Sequence, residues 1–236
     1  MFEGVDKKLE RTAYCLQNLK TLASDSRGFA YIPRERQQAM RANLDCFFFE
    51  IISAKDFFLQ GIYDACWVTS LKRHQVNQSK LMAHLPDGKA KQVVARIYDS
   101  LDDRNLRPEQ RLHDDEDSWL WRLNNYRNSA TRRELLHLGH HAKTHWVDDK
   151  ATSEKIQQAK AKGTSVIKPR FEGEEKSTPP DVPRVDVKPE NIKTYLLKDP
   201  EDPSQGNADM EVIPYCEQSL EKMTRFLKEL YSQLGI

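Results

Sequence analysis

The chain predicts a mostly α-helical fold, a bundle of four or five helices with a small C-terminal β-hairpin. Apolar residues recur at steps of three and four through most of it, the signature of one buried helix face. The strand-like runs IKTYLL and MEVIPYC fall together near residue 200, separated by the turn-rich EDPSQGNAD. A length of 236 residues with 38% hydrophobic and 31% charged composition is enough for one sizeable core. The expected layout is a bundle over residues 1–145, an extended, charged and proline-containing excursion over 146–190, and a hairpin plus terminal helix over 191–236 that packs back on the bundle.

The first helix is expected over residues 6–22, where Leu9, Ala13, Leu16, Leu19 and Leu22 share a face and the SDSRG run then breaks the pattern. Pro33 suits the first turn of a second helix, whose stripe is Met40, Leu44, Phe47, Ile51, Ala54, Phe58 and Ile62. At 1.5 Å per residue a helix over residues 33–63 is about 45 Å long, and it should form the backbone of the bundle. Phe48, Ile52 and Phe57 widen its apolar face, so burial on more than one side is expected. The LPDG run marks a turn before a short helix carrying Val93, Val94, Ile97 and Leu101. The acidic run HDDEDS complements the positive end of the next helix, with Asp114 or Asp117 as its cap and Trp119, Leu123, Tyr126 and Ala130 facing inward. Leu220, Met223, Leu227, Leu230 and Leu234 make a terminal amphipathic helix.

Composition narrows the function. A net charge of +1 gives no global field for nucleic acid, so any such contact needs a local patch. Cys15, Cys46, Cys66 and Cys216 lie far apart without CxxC spacing and read as reduced core residues. No window of about 18 uninterrupted apolar residues occurs, so a soluble cytoplasmic chain without membrane contact is expected. Walker, GxGxxG, GxSxG and HExxH motifs are absent, which leaves phosphate cradles, α/β-hydrolase chemistry and zincin chemistry without support.

The chemistry-bearing residues concentrate in WLWRLNNYRNSATRRELLHLGHHAKTH, residues 119–145. Arg127 and Asn128 form an Arg-Asn dipeptide, and Arg132 stands where a five-residue step would place histidine. Arg132 and His137 satisfy the looser spacing, with Arg133 following in place of a small polar residue. This pattern on a late bundle helix resembles the HEPN superfamily (higher eukaryotes and prokaryotes nucleotide-binding). Its motif is an arginine, often followed by Asn, Asp or His, with histidine four to six residues beyond. The resemblance covers the layout of about the first 145 residues. It implies RNA binding or metal-independent endoribonuclease activity of a toxin or defence type, a homodimer, and no cofactor.

Metal-free RNA cleavage needs a base for the ribose 2′-OH, an acid for the leaving oxygen and fixed positive charge for the phosphorane. Histidine suits the proton steps and arginine the phosphate. Arg127, Asn128, Arg132 and His137 are therefore the candidate catalytic residues, with Arg122, Arg133 and Lys143 as candidate RNA contacts. On one ideal helix, Arg132 and His137 differ by about 140° and Arg127 and His137 by about 80°, so a two-fold dimer is needed to complete a site.

Two other readings remain. In the first, Arg127 and Asn128 tie helices together, the arginine pairing with Glu50 or Asp56, and the protein is a non-catalytic module for dimerisation or for a partner protein. The arginines and Lys143 then complement a helix C-terminus, and Trp119, Trp121 and Tyr126 are core residues. In the second, His137, His141 and His145 share a helix face, with Glu134 and His137 giving a Glu-x-x-His spacing for a metal. No second copy of that spacing occurs, and Gly139 suits a helix end, so no metal is expected.

Overall fold

The computed structural model describes residues 1–24, 34–102, 118–131, 138–142, 168–171, 184–187, 192–196 and 211–235. Its helices are α1 (Glu3–Ser24), α2 (Arg34–Ala65), α3 (Gln78–His84), α4 (Lys89–Asp99), α5 (Trp119–Thr131) and α6 (Val212–Leu234). Four short strands accompany them: β1 (Leu138–Ala142), β2 (Lys168–Phe171), β3 (Arg184–Val187) and β4 (Ile192–Leu196). The mostly helical bundle expected from the sequence is present.

Side-chain pairs fix the helix directions. Phe2 meets Phe58 at 5.5 Å between ring centroids, Lys8 bonds Glu50 at 2.7 Å and Asn18 bonds Asn43 at 3.1 Å, so α2 runs antiparallel to α1. Phe2 also meets Tyr231 at 5.3 Å and Lys20 pairs with Glu217 at 2.5 Å, which sets α6 antiparallel to α1. Trp119 lies 5.7 Å from Phe226 and Tyr126 lies 5.6 Å from Tyr215, setting α5 antiparallel to α6. The result is an up-down-up-down arrangement of α1, α2, α5 and α6.

In α1 the buried face is Val5, Leu9, Thr12, Cys15, Leu16 and Leu19. Ala13, expected inside, is exposed, and Thr12 takes the interior position. The Thr12 hydroxyl donates to the Lys8 carbonyl at 2.8 Å, which satisfies the one polar group on that face. All seven residues of the expected α2 stripe are buried. Phe48, Ile52 and Leu59 form a second buried stripe against α5 and α6, while Phe57 is 40% exposed and only its flank is covered. Two-sided burial explains a 32-residue helix that outlasts ordinary globular lengths.

After α2 the chain turns through Trp67, which takes a left-handed φ of 50°, and the Tyr63 hydroxyl donates to the Leu71 carbonyl at 2.7 Å. Asn77 caps α3, its side chain accepting from the Lys80 amide at 2.9 Å. The polar sequence before LPDG concealed this short helix. In α4, Val93, Val94 and Ile97 are buried as expected, and Arg96 ties the helix to Glu229 of α6 at 2.9 Å.

The C-terminal β-hairpin is not formed. The run expected as its second strand is the start of α6, where Val212, Tyr215, Cys216, Ser219, Met223, Leu227 and Leu230 are buried at helical spacing. Pro214 sits in the first turn, where a missing N–H leaves no helical bond unmade. Its expected partner β4 pairs instead with β1 in antiparallel register, Leu138 opposite Leu196 and Ala142 opposite Ile192. A second pair, β2 with β3, is parallel. Both lie inside or beside residues 146–190, expected as an extended, charged and proline-containing excursion. At its other end α6 stops at Gly235, whose φ of 68° gives the left-handed cap that glycine supplies without a Cβ penalty. No helix among the described residues is long and apolar enough to cross a membrane.

Candidate functional site

Tyr126 and Arg127 come from adjacent positions of α5 and play opposite parts. Tyr126 is fully buried and stacks on Phe48, with ring centroids 5.0 Å apart and planes at 19°. This contact presses α5 onto α2 and fixes the turn that carries Arg127. One residue on, the helix period carries Arg127 to the edge of that interface. There its Nη2 lies 3.6 Å from Asp56 Oδ2. The other carboxylate oxygen, Oδ1, is 3.0 Å from Lys55 Nζ.

Solvent access differs sharply within the group. The side chains of Arg127 and Asp56 are 27% and 38% exposed, and that of Lys55 is 4% exposed. Lys55 occupies the second stripe of α2, between Ile52 and Leu59, where the period calls for an apolar residue. Two cations around one carboxylate leave a net local charge of one positive unit. Such a group can accept one phosphate at its exposed edge, where the arginine fork has donors beyond the one directed at Asp56.

Of the two carboxylates considered as architectural partners for Arg127, Asp56 takes the role. Glu50 serves α1 instead, held by Lys8 at 2.7 Å and approached by Arg11 at 3.9 Å. Asn128, the next residue, is likewise half-buried. Arg122, expected in an RNA-facing patch, is 1% exposed and lies inside the bundle. One turn from Trp119 and Tyr126, it cannot meet a polymer without α5 leaving its neighbours. Trp119, Trp121 and Tyr126 are buried and offer no stacking platform for bases.

Arg132, Arg133 and His137 lie outside the described residues, as do Glu134, Lys143 and His145. The helix expected to continue to Gly139 is α5, described over Trp119–Thr131, and His140 and His141 belong to β1. His141 therefore belongs to a strand and not to the helix on which the metal reading placed it. Among the described residues no three His, Cys, Asp or Glu are grouped to hold a metal.

Two features escaped the sequence reading. Lys55 was hidden inside IISAKDFF, although its step of three from Ile52 and four to Leu59 places it on a buried face. The cysteines are not uniformly internal: Cys15 and Cys216 are buried, while Cys46 and Cys66 are exposed. Burial pushes the Cys216 thiol strongly upward, and burial followed by a hydrogen bond with Cys46 pushes Cys15 up to about 12.

A groove of about 810 Å³ runs between α1 and α6, lined by Leu16, Leu220, Thr224, Arg225 and Lys228 among others. Arg127 is not part of its wall. No protein-family model, curated protein or solved structure matches the chain.

Proposed function

We propose that the protein is an HEPN-like helical bundle that engages RNA through the edge of α5, with Arg127 taking a backbone phosphate and Asn128 beside it. The observation behind this reading is the position of Arg127, braced by Asp56 at 3.6 Å while its side chain keeps 27% of its surface in solvent. A carboxylate behind a guanidinium sets its orientation before the ligand arrives, which reduces the entropy lost on binding. In the ribonuclease form of this reading Arg127 and Arg132 hold the phosphate, and His137 exchanges protons with the ribose 2′-OH and the leaving oxygen. Two chains would have to supply the site together.

A second reading has its own support. The burial of Arg122 and the Arg127–Asp56 pair suit a non-catalytic dimerisation or partner-binding module, in which arginines hold helices together.

The two part in one experiment. Single-stranded RNA is incubated with the purified chain in EDTA, and binding and cleavage are followed together with the melting temperature of each variant. The RNA reading expects binding that weakens about tenfold or more in Arg127→Ala with little change in melting, as for loss of one charge-assisted phosphate contact. Cleavage should vanish in His137→Ala. No RNA binding by the wild type, or equal binding by Arg127→Ala, overturns it in favour of the second reading.

A further inference from the structure

Cys15 on α1 and Cys46 on α2 bring their Sγ atoms to 2.7 Å. This is closer than the ~3.5–4 Å at which non-bonded carbon atoms rest, though still beyond the ~2.05 Å of a disulfide bond. The approach is built into the helix pair. On one side Lys8 bonds Glu50 at 2.7 Å, and on the other Asn18 bonds Asn43 at 3.1 Å, so the register that apposes the sulfurs is fixed twice. The two thiols are unequal: Cys15 is 4% exposed, whereas Cys46 is open to solvent.

We propose that Cys15 and Cys46 are a reversible oxidative modification site, a dithiol that a hydroperoxide converts into a disulfide joining α1 to α2. The exposed member reacts first. A sulfur lone pair of the Cys46 thiolate attacks one peroxide oxygen, the O–O bond breaks, and the departing oxygen leaves as water after taking a proton. Cys46 is then a sulfenic acid. The Cys15 sulfur, already in contact, forms the S–S bond as the S–O bond of Cys46 breaks, and the released hydroxide takes the Cys15 proton to give a second water. Across both steps two thiols lose two electrons, the peroxide gains them, and two waters form from hydrogen peroxide. A small dithiol reductant reverses the change by thiol–disulfide exchange.

The asymmetry of the pair supports this order. Burial keeps the Cys15 thiol protonated and shielded from oxidant in solution, which leaves it as the resolving partner. Its distance to Cys46 makes capture of the sulfenic acid intramolecular, ahead of further oxidation. The bond would close a loop with a sequence separation of 31, long enough to restrict the unfolded chain appreciably.

The test treats the purified, reduced full chain with stoichiometric hydrogen peroxide and maps its peptides under non-reducing conditions. The expected result is a Cys15–Cys46 linked peptide, an intact mass lower by two hydrogens, and a melting temperature raised by several degrees until dithiothreitol is added. In Cys15→Ser, dimedone should trap a sulfenic acid at Cys46 that the wild type does not accumulate. Conversion of wild-type Cys46 to sulfinic or sulfonic acid without the linked peptide overturns the proposal. Equal dimedone labelling of Cys46 in wild type and Cys15→Ser does so as well. If the serine variant fails to fold, the wild-type peptide map decides alone.

Discussion

Arg127 on α5 and Asp56 on α2 form an ion pair at 3.6 Å across the helix seam. Asp56 is shared, because Lys55 holds its other oxygen at 3.0 Å, and the two cations differ in what they lose without it. Arg127 can turn to solvent, whereas Lys55 is 4% exposed and keeps a buried ammonium.

Removing the two ends of the pair should therefore have unequal costs. Arg127→Ala is expected to lower stability by about 1 kcal/mol or less, the range of solvent-screened pairs. Asp56→Ala leaves Lys55 without its carboxylate and should cost about 1–3 kcal/mol, the desolvation penalty of an unsatisfied buried group. Urea denaturation of the two variants reads the difference. Equal midpoints would mean that Lys55 finds water or another partner when Asp56 is gone.

Where the start of α1 meets the end of α2, the helices depend on two ring-over-glycine contacts. A Cβ at Gly61 would overlap the Phe2 ring, and one at Gly4 would come within 2.5 Å of Phe57. Phe2 has little freedom to withdraw, since its ring also meets Phe58 at 5.5 Å and Tyr231 at 5.3 Å. Overpacking of this kind costs about 1–3 kcal/mol, against about 1 kcal/mol that alanine gains over glycine in a helix interior. Gly61→Ala should thus be destabilising in the wild type. In a Phe2→Ala background the clash disappears and the same substitution should stabilise. A double-mutant cycle by thermal melting checks the change of sign, and destabilisation in both backgrounds would refute the packing account.

The α2 stripe was legible because strict steps of four and three over Met40 to Ile62 allow only one buried face, and every member is buried. The hairpin was misread for a definite reason. Val212, Ile213 and Tyr215 have high strand propensity, and Pro214 looks like a strand or turn residue until it is recognised as a first-turn position. Tertiary burial at helical spacing, from Val212 through Ser219 to Leu230, overrode that propensity. For the site, Arg127 and its carboxylate could be named because helix periodicity places both on flanks. Arg122 was harder to place, since a charged residue next to Leu123 gives no local sign that the folded bundle leaves it only 1% exposed.

Phe48 joins three helices, stacking on Tyr126 of α5 at 5.0 Å and leaning on Tyr215 of α6 at 6.3 Å. Phe48→Ala should cost about 3–5 kcal/mol, the range for a buried aromatic truncated where neighbours cannot collapse inward. Loss should extend to the Arg127 edge, because the same stack fixes α5. Guanidinium unfolding measures the cost, and hydrogen exchange over residues 119–131 measures the loosening. A cost below about 1 kcal/mol, typical of surface sites, would show that α5 is not anchored through this ring.

Asp45 supplies a pH signature of its own. Burial pushes its carboxyl above the ordinary value of 3.8, opposed in part by the charge of Arg41. A carboxyl raised in the folded state binds its proton more tightly there than in the unfolded chain. Its favourable contribution is complete below about pH 3.8 and is lost as pH rises through the folded-state value, after which the buried charge is a burden. Asp45→Asn keeps the shape and removes the charge. The variant should melt above the wild type near pH 7, with the advantage shrinking as the pH falls towards the ordinary carboxylate range. Melting curves between about pH 3 and 7 test this, and an advantage that persists undiminished at the acid end would assign it to a new hydrogen bond from the introduced amide rather than to desolvation.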